Sequence, residues 1–161
     1  MAGRTTADTV RWLRRSYRIG AVVDAVAMLE MLFPERLDTL GRFRTGLRPD
    51  RPEFRYSMRS AAALMAGWTG LLLWAERDPL ARKDVLLLTM APVIIGLLAN
   101  DASAVRGRWL SAARVAPVRA LQLSLLALFG ASYLRTLRWN GHPGNGGLPR
   151  RWWRGPVAGA L

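Results

Sequence analysis

The 161-residue chain contains no cysteine, one histidine and one lysine. Without cysteine it has no disulfide, no thiolate metal site and no cysteine nucleophile. The single histidine, His142, lies in a stretch rich in glycine and proline, so bis-histidine haem ligation within one chain is also excluded. We therefore expect neither a metal nor another cofactor.

The sequence also lacks any apolar run of about 20 residues, the length needed to cross about 30 Å of hydrocarbon. It has instead four runs of 15 or 16 residues, separated by arginine-rich connectors. The runs are residues 19–33, 60–75, 85–99 and 120–134. This pattern predicts an all-α integral membrane four-helix bundle, mostly with short connectors. Because each run is short, each helix must draw polar neighbours inward.

The predicted bundle occupies residues 19–134, preceded by a basic interfacial segment at 1–18. We interpret that segment as retained, because the apolar run after it ends without a small-residue cleavage site. A longer loop rich in arginine and proline separates the first two helices, and residues 135–161 are predicted to be a flexible tail with arginine and tryptophan. The predicted helices are approximately 17–33, 58–75, 85–103 and 115–134.

The formal charge of +13 arises almost entirely from arginine, since Lys83 is the only lysine. A basic chain is a candidate for binding nucleic acid, but with four apolar runs the anionic headgroups of a lipid bilayer are the simpler partner. We predict a multi-pass protein of the cell membrane that does not bind nucleic acid. Slightly more basic residues lie on the side of the amino terminus, second connector and tail, which favours both termini in the cytoplasm.

Asp24 is the most informative polar residue, because it lies inside the first apolar run with no basic residue within one helical turn. A charged group at the centre of a bilayer costs roughly 2.5–3.5 kcal/mol on insertion scales, so such residues are candidates for function. Two interpretations stay open. Asp24 either holds the bundle together through a hydrogen bond or handles a proton or an ion.

Six further polar side chains are predicted to meet at one membrane level, on the side of the long connector. Together with Asp24 they form the candidate intramembrane polar site. Either acids and arginines from different helices pair in a polar vestibule, or the arginines extend to lipid phosphates and the acids lie in water. The six residues are Glu30, Arg59, Asn100, Asp101, Arg119 and Gln122.

The second helix carries small residues spaced four apart, in the pairs Ala63/Gly67 and Ala66/Gly70. Small residues at this spacing let a neighbouring helix approach closely within a membrane. We therefore predict helix packing at these four positions.

The segment from Gly67 to Pro79 (Gly-Trp-Thr-Gly-Leu-Leu-Leu-Trp-Ala-Glu-Arg-Asp-Pro) is followed by Arg82-Lys83 and then by Val85-Leu-Leu-Leu-Thr89. With Pro92, this pattern resembles small four-helix membrane proteins of bacteria and archaea that have no assigned activity. The resemblance covers the second and third helices and implies a topology. It implies no functional residues.

Catalytic signatures are missing, with no Gly-rich phosphate loop and no Ser/His/Asp set. An intramembrane aspartyl enzyme would need two carboxylates at one level, and Asp24 has no evident partner outside its own helix. We therefore expect no enzyme activity. The first hypothesis is a structural or accessory four-helix unit, either a homo-oligomer or part of a larger membrane complex. The alternative is a minimal channel or transporter for protons, ions or small solutes, which uses Asp24 and the polar cluster.

Overall fold

The computed structural model describes residues 2–33 and 52–140, with the side chains of residues 7–33 and 52–137. The described residues form four helices and no strand, which confirms the all-α prediction for this part of the chain. Most of the predicted arginine- and proline-rich loop and of the predicted tail lies outside the described residues. The helices are α1 (Ala2–Leu32), α2 (Pro52–Arg77), α3 (Asp84–Arg106) and α4 (Ala112–Asn140).

Each helix is longer than its apolar run, because polar residues extend it. The predicted interfacial segment is continuous with the first predicted helix, and together they form α1. α2 begins at Pro52, which suits a first helical turn because the missing N–H has no partner to bond there. α4 begins at Ala112, three residues before the predicted start, and continues to Asn140.

The middle of α3 is a π-helix from Thr89 to Ile95, between two α-helical segments. Pro92 lies inside this segment and has no N–H to donate to the helical ladder. π turns are rare, and within α-helices they occur frequently at functional sites.

The helices pack with α1 against both α2 and α4. α1 presents Leu13, Tyr17 and Ala21 on one face, because residues four apart lie above one another on a helix. The other three helices close the core over this face. Their buried apolar side chains include Leu72, Leu86, Met90, Ile94, Leu125 and Phe129.

Two of the four helices, α3 over Asp84–Arg106 and α4 over Ala112–Leu137, are long and apolar enough to cross a membrane. Over their described residues, α1 and α2 contain no stretch that is both long enough and apolar enough to cross a membrane. Charged residues recur along α1, and the apolar run of α2 ends in Glu76 and Arg77. The structure therefore supports an all-helical chain with two membrane-capable helices, which is a coarser statement than four spanning helices.

Candidate functional site

A cavity of about 50 Å³ lies among the four helices, and each helix contributes to its wall. Three polar side chains line it: Asp24 from α1, Thr89 from α3 and Gln122 from α4. The rest of the wall is largely apolar. Its apolar side chains include Val23, Ala27, Met65, Val93, Leu121 and Leu125.

Gln122 is 6% exposed, and its Oε1 accepts no hydrogen bond from any described residue. A buried amide oxygen without a hydrogen-bond donor costs free energy, so this atom retains an unused capacity to accept a hydrogen bond. Asp24 shares the cavity wall with this amide and is partly buried. The structure therefore places the isolated acid of the sequence and an amide from another helix on the wall of one cavity.

Thr89 is the third polar group of the cavity, and it already has hydrogen-bond partners. Its hydroxyl donates to the carbonyl of Val85 at 2.8 Å, and it accepts from the Trp68 indole N–H at 3.3 Å. Thr89 is also the first residue of the π segment. This arrangement ties α2 to α3 beside the cavity, so the other two polar side chains on its wall are those of Asp24 and Gln122.

Small residues on α1 bring it close enough to α4 for the cavity walls to meet. A Cβ on Gly20 would lie 2.7 Å from Cζ of Phe129 and 3.2 Å from Cδ1 of Leu72. One turn earlier, Ser16 and Ser132 form a buried hydrogen bond of 2.7 Å between their hydroxyl oxygens. Gly20 is one turn from Asp24, so these contacts set where the carboxyl group lies.

The end of the bundle near the α2–α3 turn is held by polar contacts. The Tyr17 hydroxyl donates to the carbonyl of Arg82 at 2.8 Å, and the Arg18 guanidinium contacts Glu76 Oε1 at 2.6 Å. The guanidinium of Arg82 lies 3.6 Å from the centre of the Trp74 ring. We name this end of the molecule the basic end, because α1, α2 and the turn contribute arginines there.

A similar cation–π contact joins the first and last helices at the basic end. The guanidinium of Arg135 lies 4.3 Å from the centre of the Trp12 ring. Trp12 Nε1 is buried and donates to no described residue. The contact therefore fixes the relative position of α1 and α4 through the ring face and not through the indole N–H.

The other predicted polar residues lie toward the opposite end, where α1 and α3 end and α2 and α4 begin. Glu30 is 8% exposed, Arg59 and Asn100 are exposed, and Arg119 is partly buried. Asp101 Oδ2 is buried and accepts no hydrogen bond from a described residue. Among the described residues, Asp101 forms no ion pair with Arg59 or Arg119.

Gln122, another of the predicted residues, lines the cavity together with Asp24. α4 begins at Ala112, so Gln122 is ten residues along the helix, about 15 Å from its start.

The predicted packing residues of α2 point away from the neighbouring helices. Ala63, Ala66, Gly67 and Gly70 are all exposed, and a Cβ on either glycine would have no described atom within 4 Å. Within the described protomer, the close helix approach occurs instead at Gly20.

Sequence reasoning missed Ser16, Gly20 and Ser132 as packing residues. Ser16 and Gly20 have the same four-residue spacing as the pairs noticed in α2, but Ser16 fell in the segment interpreted as interfacial. The spacing was therefore visible in the sequence, whereas the identity of the facing residues on α4 was not.

Comparisons with protein-family models, with curated proteins and with solved structures found no match to this chain. Its function is therefore inferred from its own geometry.

Proposed function

We propose that the protein is a small, non-catalytic, multi-pass membrane protein whose four-helix bundle serves as a structural or accessory unit. The observation that carries this proposal is the surface of α3 and α4. Both are long and apolar enough to span a bilayer, yet only 22% and 28% of their most apolar stretches are buried. The core helix of a soluble protein would be mostly buried, so lipid is the natural cover for the remaining surface.

The packing supports membrane depth for α1 and α2 as well. Asp24 of α1 and Met65 of α2 line the same cavity as Gln122, which lies about 15 Å along α4. That distance is about half of the 30 Å hydrocarbon core. If α4 spans the membrane, the parts of α1 and α2 packed beside its middle lie within the bilayer too.

The basic end supports contact with anionic lipid headgroups. Arg14 and Arg15 are exposed there, and Arg82 and Arg135 lie over tryptophan rings. Tryptophan favours the boundary between hydrocarbon and water, and arginine favours phosphate. We place this end and both termini on the cytoplasmic side.

Single-cysteine labelling tests the topology directly, because the natural chain contains no cysteine. The variants are Ala7→Cys, Gly41→Cys, Ala81→Cys and Ser111→Cys, probed in intact cells with a membrane-impermeant maleimide. We expect labelling at positions 41 and 111 and protection at positions 7 and 81 until the cells are permeabilised. Protection at position 41 together with labelling at 111 would limit the spans to α3 and α4.

Extraction of the protein from membranes distinguishes an integral membrane protein from a basic protein that binds the membrane surface or nucleic acid. An integral protein stays with the membrane in high salt and is released by detergent, whereas an electrostatic complex dissociates in salt. Release by salt alone would overturn the proposal. The mass of the detergent-solubilised particle then distinguishes a monomer, a homo-oligomer and a larger complex.

A second candidate function is the conduction of protons or small solutes through the bundle. The observation that favours it is the position of Asp24 on a cavity lined by all four helices. We expect proteoliposomes to show flux of protons or potassium that falls in Asp24→Asn and persists in Asp84→Asn, which alters an exposed acid at the start of α3. Absent flux, or flux insensitive to Asp24→Asn, contradicts this candidate.

A further inference from the structure

We propose that the cavity binds a small primary ammonium cation, of the size of ammonium or methylammonium, between Asp24 and Gln122. This inference deepens the second candidate function, and it rests on the same site. It concerns occupancy of the cavity, so it is measured separately from both flux and topology.

Charge is the first argument for a cation. Asp24 supplies a carboxyl group, and the described residues that line the cavity include no arginine, lysine or histidine. A carboxylate enclosed mainly by apolar side chains is stabilised only by an opposite charge or by hydrogen-bond donors. The described wall supplies no positive charge and the Gln122 amide is its remaining donor group, so a bound cation would provide the opposite charge.

Hydrogen bonding is the second argument, and it selects a ligand with N–H donors. Gln122 is 94% buried and presents an Oε1 that no described donor satisfies. Thr89 is already engaged with Trp68 and Val85. The wall thus carries two acceptors, the Asp24 carboxylate and the Gln122 amide oxygen, and a primary ammonium group has three N–H donors to share between them.

The same set of groups disfavours a bare metal ion. Calcium takes six to eight oxygen ligands, and magnesium requires near-octahedral coordination. The described residues contain no cluster of three or more acidic, histidine or cysteine side chains able to hold a metal ion. Directed hydrogen bonds to two acceptors fit an ammonium group better than they fit a metal coordination shell.

Size is the third argument. A dry cavity of roughly 150 Å³ accommodates benzene, which has six non-hydrogen atoms. On that scale the present cavity of about 50 Å³ admits about two such atoms. Methylammonium has two, and its methyl group would lie against the apolar wall formed by residues such as Val93 and Leu125.

The position of the π segment agrees with a ligand site. Thr89, Val93 and Ile94 line the cavity, and all three belong to this segment. A π turn shifts the side chains of one helix relative to a regular α-helix, and such turns recur where helices form binding sites. The π segment therefore supplies most of the cavity wall that α3 contributes.

Ligand-dependent thermal stability of the full chain in detergent tests the proposal. A ligand that binds only the folded protein raises the melting temperature in a saturable way. We expect such a rise with methylammonium chloride and ammonium chloride. Potassium chloride controls for charge and size without N–H donors, and tetramethylammonium chloride controls for an organic cation that is too large and has no N–H.

Three variants assign the effect to the site. We expect Gln122→Leu to weaken methylammonium binding by about tenfold, the value of one hydrogen bond to a charged group, and Asp24→Asn to abolish it. Asp84→Asn, which removes an exposed acid away from the cavity, should bind as the wild type does.

If Asp24→Asn fails to fold, the melting-temperature shifts of the wild-type protein with the ammonium salts and with potassium chloride test the proposal by themselves. No saturable shift with either ammonium ligand, or an equal shift with potassium, would overturn it. Binding that survives in a folded Asp24→Asn variant would also overturn it. Binding without flux would support the ligand site and contradict conduction, whereas release of the protein from membranes by salt would contradict the membrane proposal and leave the binding result intact.

Discussion

Gly20 allows α1 to pack closely against the neighbouring helices because it has no side chain. Its Cα lies on the part of α1 that faces Phe129 and Leu72, and a Cβ there would be 2.7 Å from the phenyl ring. Phe129 is 1% exposed, so its ring has little room to move. Gly67, in α2, is also helical, but nothing described lies near its Cβ position.

We predict that Gly20→Ala destabilises the bundle by about 1–3 kcal/mol through overpacking. Gly67→Ala is the matched control, because both changes add a methyl group and both gain helix propensity, up to about 1 kcal/mol. Reversible unfolding in detergent micelles measures the difference. Equal stability of the two variants would show that α1 and α4 do not approach as closely as the structure has them.

At the same scale, Asp24 was identifiable from the sequence because a carboxyl group inside an apolar run is rare. Gln122 is also one of the candidate residues, and it lines the same cavity as Asp24. An uncharged amide at the beginning of an apolar run gives no signal of how deep it lies. Its depth depends on where α4 begins and on which helix faces it.

At the scale of the helices, α1 is joined to the α2–α3 turn by two side chains next to each other in sequence. Tyr17 bonds the Arg82 carbonyl, and Arg18 pairs with Glu76. Glu76 is 18% exposed, whereas Arg18 is 67% exposed, so the pair gains little from burial. The fully buried Tyr17 is therefore the stronger contact of the two.

We predict that Tyr17→Phe lowers the free energy of unfolding by about 0.5–1.5 kcal/mol, because the Arg82 carbonyl loses its donor while the ring stays packed. Hydrogen exchange of the backbone amides in the turn should become faster. Tyr56→Phe is the control, since the Tyr56 side chain is 76% exposed. Unchanged exchange in the turn would mean that this hydrogen bond does not restrain it.

Helix existence was predictable at this scale, and helix ends were not. The apolar runs located four helices, but the ends of each helix depend on polar residues that hydropathy alone does not assign. α1 illustrates this, because the helical spacing of Val10, Leu13 and Tyr17 predicts an interfacial lead-in to the first helix, and in the structure α1 begins at Ala2 and runs without a break to Leu32. The π segment around Pro92 was foreseeable only as an interruption, since the form that an interrupted helix takes depends on its neighbours.

At the scale of the whole molecule, the distribution of arginine gives the bundle one end suited to phosphate. Arg14 and Arg15 are exposed on α1, near the α2–α3 turn. Each basic residue close to an anionic bilayer surface contributes about 1 kcal/mol of attraction. The attraction falls as salt concentration rises, because ions screen exposed charges.

We predict that nanodiscs containing phosphatidylglycerol raise the melting temperature relative to phosphatidylcholine alone, and that salt reduces this rise. The double variant Arg14→Gln/Arg15→Gln should lose most of the effect. Arg14→Lys/Arg15→Lys keeps both charges and should retain it. A rise that is the same in the glutamine variant would show that these arginines do not contact the headgroups.

The sequence by itself determined the class of secondary structure, the absence of cysteine chemistry and the unusual character of Asp24. These properties depend on composition and on spacing along one helix, which neighbours in sequence are enough to define. Only the tertiary structure decided that Ser16 and Gly20 in α1 bring helices together within the described protomer, where the pairs in α2 are exposed. It also decided that Asp24 and Gln122 share one cavity. Both outcomes depend on how helices rotate and slide against one another, which is set by packing between residues more than 90 positions apart in sequence.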